Sequence, residues 1–371
     1  MKKSVKKVLR YIFIYGILRT LAKVIGRLRP KFKFWLILGF PWYSNKGKRV
    51  GLIGCGHHAF SSIAFYLTSS TDCKITFALD VDDKASSSLA FAFNSVDMQD
   101  RYIPDNNDIE LPDIVYISSN HSTHTEYAIE YLNYGCDVFI EKPISINIKQ
   151  LDSLANAVNL SNQNVYVGYN RPHSPSMNLI KEFTNDKELP FTLSCFVSGH
   201  LIPEDHWYRD PTEGTRIVAN LGHWIDLATH ILFWSQNPPD HLNVAISYSD
   251  LSTPSDNIVV SIVSSNHDLI NMTFTSRSEP FEGVNETINF QQGDLIAKID
   301  DFRSTKIWKN DFYKKYYHWP KNNGHKATVM QPFGSALKRE WKEIEWSSRL
   351  MLHIEDMVIS GATHSTFRLS K

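Results

Sequence analysis

Residues 49–169 alternate between short apolar runs and longer segments of mixed polarity. The apolar runs predict strands at 49–53, 74–79, 113–119, 136–141 and 165–169, and helical patterns lie between them at 63–67, 84–93, 121–135 and 148–158. Alternation of this kind predicts a parallel, doubly wound sheet with right-handed crossovers.

Beyond residue 240, apolar and polar positions alternate one by one, which is typical of a sheet with one buried face. The pattern predicts strands at 243–248, 257–264, 269–276, 286–291 and 295–299, with a hairpin turn at Gln292-Gly293-Asp294. Helices are predicted at 222–233, 336–346 and 350–360. The fold class is therefore α/β: a doubly wound domain, then an α+β domain with an open, largely antiparallel sheet.

A length of 371 residues fits two domains rather than one. We place a basic arm at 1–46, a dinucleotide-binding domain at 47–168 and a substrate domain at 169–371. Residues 309–321 are basic and aromatic, and we interpret them as a solvated face rather than the mouth of a substrate site.

The arm carries two apolar stripes of helical spacing. One consists of Val5, Val8, Leu9 and Ile12, and the other of Leu18, Leu21, Ala22, Ile25 and Leu28. On one straight helix these stripes would point in different directions, so a break is predicted near Gly16. The apolar runs at 11–18 and 34–43 are too short to span a bilayer, and no signal-peptide cleavage site follows the first.

Charge is distributed unevenly along a chain whose formal net charge is zero. Residues 1–49 hold fourteen Lys and Arg but no Asp or Glu, which leaves an acidic body. Basic amphipathic helices lie in the headgroup plane of anionic membranes, so membrane contact through residues 1–46 is one prediction. Packing on another subunit and disorder are the alternatives. Nucleic acid is disfavoured, because the acidic body would repel phosphate.

The four cysteines, Cys55, Cys73, Cys136 and Cys195, form no C-x-x-C pair and lie near no zinc-like histidine cluster. We expect reduced thiols and no metal. The expected location is the cytoplasm, with peripheral contact to the inner face of the membrane through the arm.

A glycine-rich turn follows the first strand of the doubly wound domain. Gly54 permits the turn, Gly56 lets the backbone approach a pyrophosphate, and His57 and His58 begin the helix whose N-terminus favours anions. Asp80 ends the next strand, where an acid binds the ribose hydroxyls of NAD and repels the 2′-phosphate of NADP. The alternative role for Asp80 is a helix cap. The predicted cofactor is NAD, with NADP disfavoured.

Two further strand ends carry polar residues. Ser119, Asn120 and His124 lie at one strand-to-helix turn, and Glu141 and Lys142 end the next strand. Carboxyl ends of parallel strands face the crevice where open α/β sheets bind ligands, so all five are candidate cofactor contacts. Lys142 is also the candidate catalytic residue. The alternative is that it lies in a surface turn and is solvated.

The second domain supplies three candidate substrate contacts: Arg171, Trp207 and Asn220. Arg171 can bind a carboxylate or phosphate, or form an interdomain salt bridge. Trp207 can stack on a sugar or belong to the core. His223 and Asp226 are three residues apart on a predicted helix, which lets the carboxylate orient an imidazole acid/base. A capping contact without chemistry is the alternative.

Together these motifs resemble the Gfo/Idh/MocA oxidoreductases, named for glucose–fructose oxidoreductase and inositol dehydrogenase. The matching segments are the Gly54/Gly56 loop, the 119–124 turn, Glu141-Lys142-Pro143, and residues 168–171, 202–207, 210–214, 223–226, 300–303 and 324–325. The resemblance covers residue 48 to the end. It implies a Rossmann domain, NAD(P), a sugar, polyol or nucleotide-sugar substrate, and a second sheet that often forms a subunit interface.

In that family the Glu-Lys-Pro lysine contacts cofactor and substrate and the His-x-x-Asp histidine is an acid/base, which implies these roles for Lys142, His223 and Asp226. We expect a homo-oligomer that oxidises or reduces a sugar hydroxyl in cell-surface polysaccharide synthesis. The chain departs from the family pattern at Ala219, where many members carry Asp. A non-catalytic dinucleotide-binding sensor or scaffold at the membrane is therefore the alternative function.

Overall fold

The structure, a computed structural model, describes residues 3–29, 47–98, 110–281, 283–334 and 338–368. The chain forms two compact units. The first unit comprises the described residues of Met1–Ser145, Lys149–Gly168 and His325–Lys338, and the second those of Ile146–Ile148, Tyr169–Gly324 and Arg339–Lys371.

The α-helices range from amphipathic ones to Gly222–Leu232, which is buried on nearly all sides. They are α1 (Lys3–Tyr15), α2 (Ile17–Leu28), α3 (Phe65–Ser70), α4 (Asp83–Phe93), α5 (His124–Asn133), α6 (Ile148–Leu160), α7 (Pro175–Phe183), α8 (Gly222–Leu232), α9 (His325–Val329) and α10 (Trp341–Ser360). Two π-helical segments, Ala59–Ala64 and Ile217–Leu221, run directly into α3 and α8.

The first unit contains a six-stranded parallel sheet in the order β3-β2-β1-β4-β5-β6. Its strands are β1 (Lys48–Ile53), β2 (Cys73–Leu79), β3 (Val96–Met98), β4 (Ile114–Ile117), β5 (Asp137–Ile140) and β6 (Val165–Val167). The predicted doubly wound sheet is confirmed. Strand order reverses between β1 and β4, and such a switch point opens a ligand crevice at the carboxyl edge. The short β3 was missed, because Val96 and Asp97 are exposed and show no apolar run.

Gly16 separates α1 from α2 with φ 80°, so the predicted break is confirmed. Helix α2 buries Ala22, Ile25 and Gly26. A Cβ at Gly26 would lie 3.2 Å from Phe60 and from Ser61, so a glycine lets α2 approach the first π-helical segment closely. Helix α2 of the arm thus packs within its own unit, an arrangement that was not among the predicted alternatives. The predicted apolar run at 34–43 lies outside the described residues.

The second unit contains a nine-stranded sheet in the order β14-β13-β12-β11-β7-β10-β9-β8-β15. The strands are β7 (Phe191–Ser198), β8 (His241–Tyr248), β9 (Asn257–Ser264), β10 (Leu269–Thr275), β11 (Asn285–Gln292), β12 (Leu295–Asp300), β13 (Ser304–Lys309), β14 (Phe312–Tyr317) and β15 (His364–Arg368). Only β7 and β10 pair in parallel, so the prediction of a largely antiparallel sheet is confirmed. The homo-oligomer expected through this sheet stays a prediction.

Two local predictions have different outcomes. The hairpin turn is confirmed: Gly293, with φ 56°, and Asp294 join β11 to β12. The predicted interruption of the last helix is wrong, because α10 is continuous through Ser347 and Ser348. Both serines are buried and bonded, Ser347 to Asp226 and Ser348 to the Ile344 carbonyl. Of the predicted helix 336–346, residues 336 and 337 lie outside the described residues. In the described part of the chain, no helix has the length and apolarity to cross a membrane.

Candidate dinucleotide site and second-unit polar clusters

The glycine-rich turn after β1 has the backbone geometry that its sequence predicts. Gly54 has φ 80°, and a Cβ there would lie 2.4 Å from the backbone of Ser118 and Ser119, so the turn passes close to the end of β4. Gly56 is exposed, and a Cβ there would meet nothing within 4 Å. The chain is helical from His57 onward. The turn therefore leaves open space beside the first helical N–H groups, which fits a bound pyrophosphate.

Asp80 follows β2 beside this turn. Its carboxylate accepts from the backbone N–H of Cys55 at 2.5 Å and from that of Asp82 at 2.9 Å. The cap of α4 is Asp82, which accepts from the N–H of Lys84, so Asp80 is not the cap. Asp80 therefore lies against the glycine turn, where an acid meets the adenosine ribose of a dinucleotide.

His124, at the start of α5, contacts the turns that follow β4 and β5. Both ring nitrogens of His124 face carbonyl oxygens, Nδ1 that of Pro143 at 2.8 Å and Nε2 that of Ser119 at 3.0 Å. Burial lowers the pKa of His124, so the neutral ring donates to one carbonyl at a time. The ring of His124 thus lies between the Ser119 turn and the turn after β5 and contacts both. Within the first turn the Ser119 hydroxyl bonds Thr123, and Asn120 is exposed.

Glu141 holds the turn after β5 against the glycine turn. Its carboxylate lies 3.0 Å from Nε2 of His58 and accepts from the backbone N–H of Lys142 at 3.2 Å. Burial raises the pKa of Glu141, but His58 and Lys142 outweigh that effect and the net shift is downward. A Cβ at Gly168 would lie 2.6 Å from this carboxylate, so a glycine is needed there. The backbone of half-buried Lys142 is thereby fixed at the carboxyl edge of the sheet.

His57 lies on the other side of the glycine turn, near Gly26 of α2. Burial is the main reason that the pKa of His57 falls to about 4, and the positive charges of Lys23 and Arg27 act in the same direction. His57 is therefore neutral at physiological pH. It was predicted to contact the cofactor, and the structure gives it a packing contact with the N-terminal helices.

In the second unit, half-buried His223 lies in the first turn of α8. Its ring packs edge-on against Tyr169, with centroids 5.9 Å apart. The hydroxyl of Tyr169 is directed to the sulfur of Met351 in α10, at 3.3 Å, which fixes the tyrosine beside the imidazole. The sequence did not single out Tyr169 as a neighbour of His223.

Asp226 contacts a different set of residues from the one predicted. Its two oxygens accept from Arg339 at 2.8 and 2.9 Å, and one also accepts from Ser347 at 3.0 Å. Arg339 also donates to Glu343, whose carboxylate lies 2.8 Å from Nδ1 of His230. Burial raises the pKa of Asp226 although Arg339 opposes it. These bonds join α8 to α10, whereas the predicted contact was with the imidazole of His223.

Arg171 is buried within the second unit rather than exposed to a ligand. It bonds Glu286 of β11 at 3.0 Å, and its guanidinium lies 4.4 Å from the ring centroid of Trp224. The indole of Trp224 also donates to Glu286, at 2.7 Å. The ion pair lies inside one unit, so the predicted interdomain salt bridge is wrong, and the predicted substrate contact of Arg171 stays a prediction.

The loop over 199–216 is anchored by a cluster around Asp256. Its carboxylate accepts from Arg209 and Arg216 at 2.8 Å each, and Arg216 also bonds the amide oxygen of Asn220 at 3.2 Å. Asn220, a predicted substrate contact, is thus bonded to the loop anchor. Trp207 is 44% exposed on this loop with its ring against Tyr208, and its predicted role in stacking stays a prediction.

Comparison with known proteins agrees with this geometry. Residues 48–169 match the oxidoreductase family with an NAD-binding Rossmann fold, GFO_IDH_MocA. The match lies almost entirely within the first unit and covers its Rossmann sheet. Oxidoreductase P35 of Formosa agariphila is 28% identical over 190 residues, which cover 48% of this chain and 57% of that protein. The chain thus matches a little over half the length of this curated relative.

Two solved structures of low sequence identity share the fold. GenD2 from gentamicin A biosynthesis, in complex with NAD, has a TM-score of 0.68 at 16% identity and covers 89% of this chain and 99% of its own. KijD10, a 3-ketoreductase from Actinomadura kijaniata in complex with NADP and TDP-benzene, has a TM-score of 0.65 at 14% identity and covers 85% and 98%. The likeness in fold therefore extends beyond residues 48–169.

Sequence reasoning missed several polar residues that hold these sites together. Glu286 and Arg339 lie more than a hundred residues from their partners Arg171 and Asp226. No local pattern signals such a pairing. His58 and Glu141 were both predicted as cofactor contacts, and their bond to each other could have been anticipated because the turns after β1 and β5 lie at the same edge of the sheet, two strand positions apart.

Proposed function

We propose that the chain is an NAD(P)-dependent oxidoreductase that transfers a hydride to or from a hydroxyl-bearing carbon of a sugar or nucleotide sugar. The observation that carries the proposal is the meeting of three polar turns at the carboxyl ends of β1, β4 and β5. His58–Glu141 and the contacts of His124 hold these turns together. Site residues arranged in this way at a switch point fit a dinucleotide.

Each site residue has a defined task in this proposal. A bound nicotinamide dinucleotide would supply the hydride acceptor or donor. Gly56 and the N–H groups that open the helix hold the pyrophosphate, and Asp80 receives the adenosine ribose. Lys142 donates to the reacting oxygen and stabilises the negative charge that develops on it. His223 takes the hydroxyl proton in oxidation and returns it in reduction.

We propose NAD rather than NADP as the cofactor. An acid at the end of the second strand lies beside the ribose that carries the extra phosphate in NADP, and the two negative charges would repel each other. Both oxygens of Asp80 accept from backbone N–H groups, which fixes the carboxylate beside the glycine turn. The two solved structures contain NAD in one case and NADP in the other, so the family fold is compatible with either.

The test begins with titration of the purified protein with NAD and NADP, followed by a panel of sugars and nucleotide sugars monitored through the absorbance of reduced nicotinamide. Turnover of at least one compound is expected. The His223→Asn variant should lose about 10²–10⁴-fold in kcat, because a positioned acid/base contributes that much. Its Kd for NAD should not change.

Two results would contradict the proposal in different ways. No dinucleotide binding at all would remove the cofactor site. Binding without turnover across the panel would favour the non-catalytic sensor or scaffold that the sequence leaves open. The expected role in polysaccharide synthesis stays a prediction until a substrate is known.

We further propose that the outer face of the N-terminal helices contacts an anionic membrane. While α2 buries one side on the Rossmann domain, both helices also expose large apolar residues: Phe13 of α1 is 69% exposed, and Ile17 and Leu28 of α2 are 62% and 73% exposed. Lys6, Lys7 and Arg10 are exposed on α1. An apolar face rimmed by cations fits the boundary between acyl chains and anionic headgroups.

The protein should therefore sediment with vesicles that contain phosphatidylserine and much less with pure phosphatidylcholine, and added salt should weaken the association. Changing Phe13 and Ile17 together to Asp should lower the partition coefficient at least about tenfold, since each buried apolar side chain contributes roughly 1.5–3 kcal/mol. Leu251→Asp, at a position 84% exposed in the second unit, is the matched control. Unchanged sedimentation of the double variant would exclude this contact. Dissociation of a dimer by the same variant would identify a second copy as the occupant.

A further inference from the structure

Arg29 connects the N-terminal helices to the glycine turn. It follows α2 in the left-handed conformation, with φ 46° and ψ 49°, and its N–H bonds the Ile25 carbonyl. One side of its guanidinium reaches α4, where Nη1 donates to the Ala85 carbonyl at 3.1 Å and to the Ser88 hydroxyl at 2.7 Å. On the other side, Nη2 donates to the carbonyl of Cys55 at 2.6 Å.

The bond to Cys55 determines the orientation of one peptide group in the turn. Asp80 accepts from the N–H of Cys55, and Arg29 donates to its carbonyl, so buried Cys55 is held from both ends. A trans peptide directs its C=O and its N–H to opposite sides. When Arg29 holds the Cys55 oxygen, the N–H of Gly56 must point away from Arg29.

Gly56 is the position where the turn opens to solvent, with nothing within 4 Å of a Cβ built there. Its N–H is one of the groups that can donate to a pyrophosphate. A cationic donor on the carbonyl of a peptide also polarises that peptide and strengthens its N–H as a donor. The guanidinium thus acts on the ligand-facing group through the peptide bond, without itself facing the ligand.

We propose that Arg29 is a positioning residue of the dinucleotide site, which makes the N-terminal helix pair a working part of that site. Arg29 holds the Cys55–Gly56 peptide so that the Gly56 N–H is presented to the pyrophosphate. This inference rests on the proposed oxidoreductase function. It adds a contribution from outside residues 48–169, the range that matches the Rossmann family.

The chain offers a matched control for the simpler view that Arg29 only attaches the arm. Arg19 is also on α2 and also bonds the Rossmann domain, at the carbonyl of Ser61 and the hydroxyl of Ser62. None of its hydrogen bonds reaches the glycine turn. Arg19→Gln therefore removes an attachment of the arm but leaves the Cys55–Gly56 peptide untouched.

The experiment measures Kd for NAD and for ADP-ribose by calorimetry in the full chain, with thermal unfolding as the check on folding. Arg29→Gln is expected to weaken both ligands by about tenfold or more, the effect of one hydrogen bond to a charged group. Both contain the pyrophosphate, so their losses should be equal. Arg19→Gln should stay within about twofold of the unaltered protein, and Arg29→Lys, which keeps the charge, should recover part of the loss.

Hydrogen exchange of the unaltered protein provides a second measurement if Arg29→Gln does not fold. NAD should slow exchange at Gly56 and, through Arg29, in the last turn of α2. Protection of the turn without α2, equal Kd values for Arg29→Gln and the unaltered protein, or equal losses in the Arg19 and Arg29 variants would each overturn the inference and leave the proposed function standing. Absence of binding by the unaltered protein would overturn both.

Discussion

Replacement of Lys142 by alanine is expected to lower kcat about 10²–10³-fold, the effect of removing one preorganised donor to a developing oxyanion. Glu141 fixes the backbone of Lys142 through its N–H, and His58 fixes Glu141. The ammonium group therefore starts from a defined place at the carboxyl edge of the sheet. Because the pyrophosphate and ribose contacts lie on other turns, the Kd of NAD should change by only a few-fold.

Lys149→Ala serves as the control for Lys142, since Lys149 is an exposed lysine seven residues farther along the same chain. The measurements are kcat, KM and Kd for NAD on the three proteins with the best substrate from the panel. Full turnover in the Lys142 variant would remove Lys142 from the chemistry. A loss confined to Kd would instead make it a cofactor contact.

The dinucleotide site could be predicted from sequence because its signals are local. Gly54 and Gly56 are two residues apart, and Asp80 ends the adjacent strand. Glu141 and Lys142 end a strand two positions across the sheet. Parallel strands bring their carboxyl ends to one edge whatever the detailed packing, so a correct strand assignment was enough to bring these residues together.

The polar residues of the second unit could not be assigned in this way. Arg171, Asp226 and Asn220 are the types that bind sugars and phosphates, and the same types also form buried ion pairs. Which role a residue takes depends on partners such as Glu286 and Arg339, which the fold brings in from distant segments. A buried charge without its partner is costly, so the partner decides the role.

The N-terminal arm shows a similar limit. Its apolar and basic positions predicted two helices with a break at Gly16, and the structure confirms both. The pattern could not tell which positions of the second stripe are buried: Ala22 and Ile25 face the Rossmann domain, whereas Leu18, Leu21 and Leu28 of the same stripe are exposed. The close approach of α2 at Gly26 decides which positions are buried. That approach depends on the shape of the surface around Phe60, which the sequence pattern does not show.

The largest effect on stability is expected from Arg339→Leu in the buried cluster between α8 and α10. Arg339 bonds both oxygens of Asp226 and also Glu343, and all three side chains are less than 10% exposed. Without the guanidinium, two buried carboxylates lose their permanently charged partner and keep only Ser347 and His230, which costs about 3–5 kcal/mol. Urea unfolding of the second unit at neutral pH measures this cost. Arg349→Leu, which breaks the partly exposed pair with Glu345 within α10, should cost less than about 1 kcal/mol.

The pH dependence distinguishes lost ion pairing from lost packing. Although burial opposes the charge on Glu343, Arg339 and His230 lower its pKa to about 2, below the value of about 4.3 expected in the unfolded chain. A depressed pKa contributes stability above the unfolded value and loses it as pH falls from about 4.3 toward 2. In Arg339→Leu the part of this contribution that comes from Arg339 should disappear while the contact with His230 remains, so the variant's deficit should shrink as both carboxylates protonate. A deficit that stays constant between pH 7 and 3 would mean that the guanidinium acts by filling space. Recovery in Asp226→Asn/Arg339→Leu would show that the unpaired charge of Asp226 is the main cost.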